Sequence, residues 1–85
     1  MICVLEYTIV MRKGTKVSDI AKVVGNNLRA ARKLKGFTQK QVADLLGKNQ
    51  ADYSDYETGK VQLDYEKIVF LCKLFDISYD ELFEQ

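Results

Sequence analysis

The sequence predicts an all-α domain of five short helices, preceded by a strand-like N-terminal arm. Three observations lead to this fold class. The 85 residues have room for one hydrophobic core, and from Ser18 onward apolar residues recur at three- and four-residue steps. Capping residues and the glycines at 36, 47 and 59 interrupt that pattern at short intervals. We therefore divide the chain into an arm, residues 1–17, and a helical domain, residues 18–85.

The opening segment, residues 1–10, is apolar except for Glu6 and Thr8, is rich in β-branched residues, and alternates its side chains at a period of two. This pattern predicts a strand. It is too short to span a membrane and lacks the leading cations of a signal peptide. Because no second strand pattern follows, we expect this segment to pair with its counterpart in a second subunit. The alternative is that Met11 marks the natural start and the first ten residues have no role.

The first helix is predicted from about Asp19 to Lys35. Its apolar stripe consists of Ile20, Val23, Val24, Leu28, Ala31 and Leu34. Gly25 weakens the middle because glycine costs about 1 kcal/mol relative to alanine inside a helix. The pattern therefore allows one helix or two consecutive pieces, and Gly36 ends it.

Two short helices follow, separated by a glycine turn. Thr38 caps the first of them, Gln41 completes a capping box, and the buried face is predicted to be Val42, Leu45 and Leu46. Gly47 closes this helix, and only two residues later the next helical pattern begins. Asn49 caps that helix, Tyr53 and Tyr56 share its inward face, and Gly59 stops it. The pair predicts a helix-turn-helix.

The last two helices run from Asp64 to about Phe75 and onward from the capping residue Ser78, where Glu81 completes a second capping box. Cys72 is predicted to be a small buried hydrophobe. Helical spacing places five aromatic residues in the core: Tyr53, Tyr56, Phe70, Phe75 and Phe83. Tyr65 and Tyr79 are predicted to be partly exposed, which favours a dimer face on these helices.

The composition excludes several classes of function. The chain has no histidine, tryptophan or proline and only two cysteines, Cys3 and Cys72. Histidine-based catalysis, the usual zinc sites and a disulfide framework are therefore not available. The carboxylates are scattered rather than paired, so we expect no enzyme activity, no metal or cofactor, and no small-molecule ligand.

The charge is distributed unevenly along the chain although the net charge is only +1. Residues 11–48 contain ten Lys or Arg and two acidic residues, whereas residues 49–85 contain three Lys and nine acidic residues. A basic half is suited to a polyanion such as nucleic acid, and an acidic half to a protein partner. The two halves can equally well attract one another across the fold.

From about Gly25 to Phe83, the chain resembles the repressor and Cro-like helix-turn-helix family of transcription regulators, also called the xenobiotic-response-element type. The resemblance rests on an ordered, gapless set of residues. These are Leu28, Arg32, the Gly36-Phe37-Thr38-Gln39 turn, Val42, Ala43, Leu46, Gly47, Tyr53, Tyr56, Glu57, Gly59, Lys60 and the ending Asp76-Ile77-Ser78-Tyr79-Asp80-Glu81-Leu82-Phe83. A small residue at position 43 lets the two helices of the motif cross closely, and glycine at 47 adopts the turn conformation at low cost.

The resemblance implies that the helix from Gln50 to Thr58 docks in the major groove of double-stranded DNA. The matching base-contacting positions are Gln50, Ala51 and Asp55, and Gln50 is the best candidate because glutamine can contact adenine in a bidentate manner. The resemblance also implies a set of backbone-contacting residues: Thr38, Gln39, Lys40, Lys48, Asn49, Ser54, Thr58, Lys60 and Arg29. It further implies a structural pair between Arg32 and Glu57.

The sequence departs from this family in one respect. The reading helix carries Asp52, Asp55 and Glu57 and no basic residue, which reduces nonspecific affinity for phosphates. We expect a cytoplasmic homodimer that binds a pseudo-palindromic operator, more often as a repressor than as an activator. The alternative is a protein-binding helix-turn-helix module, antitoxin-like or accessory, whose acidic half binds a protein partner.

Overall fold

The computed structural model describes residues 17–85, with side chains from Asp19, and this part of the chain forms five helices. They are α1 (Val17–Leu34), α2 (Gln39–Leu46), α3 (Gln50–Thr58), α4 (Tyr65–Phe75) and α5 (Tyr79–Phe83). The all-α class and the order of the helices are confirmed. The predicted strand in residues 1–10 lies outside the described residues. None of the helices in residues 17–85 is both long enough and apolar enough to cross a membrane.

The helix starts follow the capping residues of the sequence. Thr38 Oγ1 accepts a hydrogen bond from the Gln41 N–H at 3.1 Å, and the Gln41 side chain accepts one from the Thr38 N–H at 2.9 Å. Ser78 and Glu81 form the same reciprocal pair at the start of α5. Each box satisfies two backbone groups at its helix terminus, so these starts are encoded locally.

The core lies around α1, which packs against α3, α5 and α4. Its fully buried side chains come from all five helices: Leu28, Val42, Ala43, Tyr53, Leu71, Phe75 and Leu82. Asn27 links α1 to the short last helix through hydrogen bonds, because its Nδ2 donates to the carbonyl oxygens of Leu82 and Glu84 at 2.8 Å each. The predicted burial of Cys72 is confirmed.

The predicted burial of four apolar residues is wrong. Leu34, Leu45, Phe70 and Phe83 are 85%, 54%, 39% and 43% exposed, respectively. Leu34 is the last residue of α1, and the other three lie at the margins of helical stripes whose centres are buried. Helical periodicity locates a stripe, but only the neighbouring helices decide how wide the covered part is.

Helix α1 is continuous through Gly25, so the two-piece alternative is wrong. A Cβ atom at Gly25 would lie 2.4 Å from the Glu57 carbonyl oxygen and 2.6 Å from that of Tyr56. The glycine therefore lets the backbones of α1 and α3 approach closely. Packing of α3 against α1 offsets the weak helix propensity of this position.

Candidate nucleic-acid interface

Helices α2 and α3 cross closely and are joined by the turn at residues 47–49. Ala43 is fully buried, and Gly47 adopts φ 71°, a left-handed conformation that is strained for residues with a Cβ. Asn49 Oδ1 accepts a hydrogen bond from the Asp52 N–H at 2.8 Å and so caps α3. The turn and this cap thus define where α3 begins after the end of α2.

One face of α3 is available to a large ligand. Gln50, Ala51 and Thr58 are exposed, and Ser54 and Asp55 are half-buried. The opposite face carries Tyr53, Tyr56 and Glu57, all of which are buried. The helix therefore presents a short polar surface from a support that is anchored in the core.

The inner end of this support is a buried ion pair between α1 and α3. Arg32 Nε lies 2.6 Å from Glu57 Oε2, and Arg32 Nη2 lies 3.3 Å from Glu57 Oε1. Arg32 Nη1 also donates to the Phe37 carbonyl oxygen at 2.8 Å. The two side chains are 9% and 1% exposed, so the guanidinium is occupied by protein acceptors and is not available to a phosphate.

The ionised form of Glu57 is favoured within this pair. Burial alone would raise the pKa of its carboxyl group, but the hydrogen bonds from Arg32 and Gln39 outweigh burial and lower the pKa below its usual range. The neighbouring Tyr53 hydroxyl is buried and makes no hydrogen bond of acceptable geometry within residues 17–85. Burial, followed by the effect of Glu57, raises the pKa of Tyr53, so this hydroxyl stays protonated.

Two glutamines extend the pair to the surface. Gln39 Nε2 donates to Glu57 Oε1 at 2.9 Å, and Gln50 Nε2 donates to Gln39 Oε1 at 3.3 Å. Sequence reasoning treated Gln39 and Gln50 as independent contacts and missed this connection. No local signal reveals it, because its members lie 11 to 25 residues apart in the chain.

The remaining candidate residues lie on α1, on α2, in the turn before α3 and in the segment after it. Thr38 and Gln39 lie at the start of α2, where the positive end of the helix dipole favours an anion, although the N–H groups of Thr38 and Gln41 are engaged in the capping box. Beyond α3, Thr58 Oγ1 donates to the Asp55 carbonyl oxygen at 3.3 Å, and the Lys60 N–H donates to the same oxygen at 3.0 Å. Lys60 therefore follows a fixed helix end.

The four candidate cations differ in their surroundings. Lys40 lies 3.7 Å from Asp44 in an exposed ion pair, which contributes little to stability in water. Lys60 and Arg29 are exposed, and Lys48 is half-buried. Asp52 and Asp55 are the two acidic residues of α3 that the Arg32 pair does not neutralise.

The fold and this surface define the class of protein: a helix-turn-helix domain with an accessible second helix in its motif. The chain belongs to the repressor and Cro-like helix-turn-helix family, and a family model described as "Helix-turn-helix" matches residues 28–82.

Similar proteins include both regulators and an antitoxin. The helix-turn-helix-type transcriptional regulator YqaE of Bacillus subtilis is 38% identical over 56 residues, which cover 66% of this chain and 48% of that protein. The antitoxin PezA of Streptococcus pneumoniae is 30% identical over 60 residues, which cover 71% of this chain and 38% of that protein. The chain thus spans about half of YqaE and less of PezA.

A solved structure has the same fold. It is the restriction-modification controller protein C.AhdI from Aeromonas hydrophila, with a TM-score of 0.65 and 30% sequence identity. The match covers 74% of this chain and 96% of that one. The likeness therefore extends over nearly the whole controller protein.

Proposed function

We propose that this protein is a sequence-specific, double-stranded DNA-binding transcription regulator, which acts as a homodimeric repressor in the cytoplasm. The observation that carries the proposal is the position of Gln50, exposed in the first turn of α3 and hydrogen-bonded to Gln39 at the start of α2. Family membership supports this function, and so do the transcriptional regulators among its relatives.

In this proposal α3 lies in the major groove and three side chains meet base edges. Gln50 contacts adenine, because its amide offers both a donor and an acceptor. Ala51, exposed in the same turn, meets a thymine methyl group, and Asp55 accepts from a cytosine amino group. Burial of Glu57 against Arg32 supports this docking, because it removes one of the three negative charges of α3 from the face that meets DNA.

The residues around α3 fix the register on the phosphate backbone. The N-terminus of α2, with Thr38 and Gln39, faces one phosphate, and Thr58 with Lys60 faces another. The auxiliary contacts are assigned to Arg29, Lys40, Lys48, Asn49 and Ser54. The carboxylates of Asp52 and Asp55 on α3 reduce affinity for phosphates, so a single domain is expected to bind weakly.

Dimerisation compensates for that weak binding. Helices α4 and α5 expose the large apolar side chains Tyr65, Val69, Phe70, Tyr79 and Phe83, and such a surface is typical of a protein interface. Two domains joined through it would present two copies of α3 to successive turns of a pseudo-palindromic operator. Repression then follows from occlusion of the promoter.

Two substitutions test the proposed roles on DNA. Gln50→Ala is expected to reduce the base preference at one position of each half-site by about 1–3 kcal/mol, because the bidentate contact is lost.

Lys60→Ala is expected to weaken the affinity for all DNA sequences about equally. It is also expected to reduce the slope of log affinity against log salt concentration by about one unit. Binding titrations on an operator selected from random duplexes measure both effects. Equal losses on every sequence for Gln50→Ala would contradict its role as a base reader.

The competing function is a protein-binding module, and the antitoxin PezA among the relatives favours considering it. Residues 49–85 carry a net charge of −6, so a protein partner of that half would be basic. DNA affinity is expected to fall steeply between low and physiological ionic strength as condensed counterions are released. Binding of a basic protein would also weaken with salt, so enrichment of a duplex motif discriminates the two functions. Selection at low salt that enriches no motif would favour the protein-binding function.

A further inference from the structure

Side-chain chemistry determines which group donates and which accepts in the hydrogen bonds that join Glu57 to Gln50 through Gln39. A carboxylate only accepts hydrogen bonds, so Gln39 must turn its NH₂ group toward Glu57 Oε1, which it does at 2.9 Å. The Gln39 carbonyl oxygen then faces Gln50. Because that oxygen also only accepts, Gln50 must donate one of its N–H bonds to it, as observed at 3.3 Å.

This arrangement leaves Gln50 with a particular set of free groups. One N–H is engaged with Gln39, so one N–H and the carbonyl oxygen remain for a ligand. Adenine presents one donor and one acceptor in the major groove, whereas guanine presents two acceptors. If Gln39 were reversed, it would donate to the Gln50 oxygen, and both N–H bonds of Gln50 would face outward to suit guanine.

Glu57 is buried and held in one orientation, so it fixes the orientation of the hydrogen bonds that begin at its carboxylate. Its side chain is 1% exposed and is held by two hydrogen bonds from Arg32, so it does not rotate away from Gln39. Gln39 is itself half-buried, whereas Gln50 is exposed. The Glu57 carboxylate thus fixes the orientation of the Gln39 amide, and the Gln39 amide fixes the orientation of the exposed Gln50 amide.

We propose that Glu57 is a positioning residue that sets the base preference of Gln50 for adenine over guanine, through the orientation of the Gln39 amide. This inference rests on the proposed DNA-binding function. It adds a specificity determinant that does not touch DNA. It also gives the Gln39 side chain a role other than phosphate binding, with its second N–H still free for a phosphate.

Two variants separate this role from the stability of the fold. Arg32→Met with Glu57→Leu replaces the ion pair by apolar side chains of similar size, which a folded domain tolerates. Gln39→Ala removes the intermediate amide and leaves the ion pair in place. Cys72→Ala is the matched control, because it alters a buried side chain on α4 that takes no part in the hydrogen-bonded chain.

The main measurement is the affinity ratio between duplexes that carry A·T or G·C at the Gln50 position. Wild-type protein is expected to prefer adenine by about 5- to 150-fold, the range of one bidentate contact. Both variants are expected to reduce this ratio to below about threefold while melting curves show that they remain folded. Cys72→Ala is expected to lower the melting temperature and keep the wild-type ratio.

A second measurement needs no DNA. The side-chain NH₂ signals of Gln39 and Gln50 in nuclear magnetic resonance spectra are expected to lose their dispersion in the Arg32→Met, Glu57→Leu variant. Unchanged amide signals, or an unchanged adenine-to-guanine ratio in both folded variants, would overturn the inference while DNA binding stands. A wild-type protein with no base preference would instead overturn the proposed function, and the inference with it.

Discussion

Replacing Glu57 by alanine is expected to cost about 3–5 kcal/mol of unfolding free energy, because it leaves the Arg32 guanidinium buried without a counter-charge. Only 7% of the surface of Arg32 is exposed, so water cannot replace the lost carboxylate without local opening of the fold. A domain of this size has about 5–15 kcal/mol of total stability. Urea denaturation followed by circular dichroism at neutral pH measures the loss.

The pH dependence of this effect has a defined sign. Burial alone would raise the pKa of Glu57, but the hydrogen bonds from Arg32 and Gln39 lower it by a larger amount. The pKa of Glu57 in the folded state therefore lies below the usual 4.5. The carboxylate therefore stabilises the fold above about pH 4.5, and this contribution is lost as the pH falls through the lowered value. The difference between wild type and Glu57→Ala is expected to be constant near neutrality and to shrink in acid.

The control is the double change Arg32→Met with Glu57→Leu. It removes both charges together, so it is expected to cost less than Glu57→Ala, with a remaining cost because the Phe37 carbonyl oxygen loses its hydrogen bond from Arg32. A single-variant loss below about 1 kcal/mol would mean that the pair behaves like an exposed surface ion pair, which would contradict the buried geometry.

Local chemistry explains why most of the fold is predictable from the sequence. Thr38 with Gln41 and Ser78 with Glu81 define helix starts by bonds that span three residues, and Gly47 marks a turn whose φ is positive. Such signals need no knowledge of the rest of the chain. The capping residues therefore predict the starts of α2, α3 and α5 to the residue.

Tertiary context explains where the prediction was wrong. Leu45 and Phe70 have the helical spacing of core residues, but neighbouring helices do not cover them. Leu45 lies beside Leu46, which packs against the core, and the sequence does not distinguish the two. Their burial depends on crossing angles between helices, and the apolar pattern of one helix does not contain that information.

The candidate site divides in the same way. Gln39 and Gln50 are identified as candidate contacts by their match to family positions, and the order of hydrogen bonds through Glu57 is not. That order depends on three side-chain rotamers from two helices that meet only in the folded state. The sequence thus gives Gln39 and Gln50 as candidates, whereas the hydrogen bonds that join them to Glu57 are apparent only in the folded structure.

Gly25→Ala is the second substitution with a large expected effect. We expect it to destabilise the fold, although helix propensity alone would make alanine stabilising. Alanine is favoured by about 1 kcal/mol in a helix interior. Its Cβ, however, would lie 2.4 Å and 2.6 Å from the carbonyl oxygens of Glu57 and Tyr56, and backbone atoms cannot yield as a flexible side chain does. Overpacking of this kind costs about 1–3 kcal/mol or more, so we expect net destabilisation.

The neighbouring exposed position provides the control, since Asn26→Ala adds no buried atoms and is expected to be neutral or slightly stabilising. Thermal and urea denaturation of both variants measure the difference. Because relief of the clash must displace α3 from α1, Gly25→Ala is also expected to weaken DNA binding at temperatures where the protein remains folded, whereas Asn26→Ala is not. A Gly25→Ala variant as stable as Asn26→Ala would show that α1 and α3 are farther apart than this packing requires.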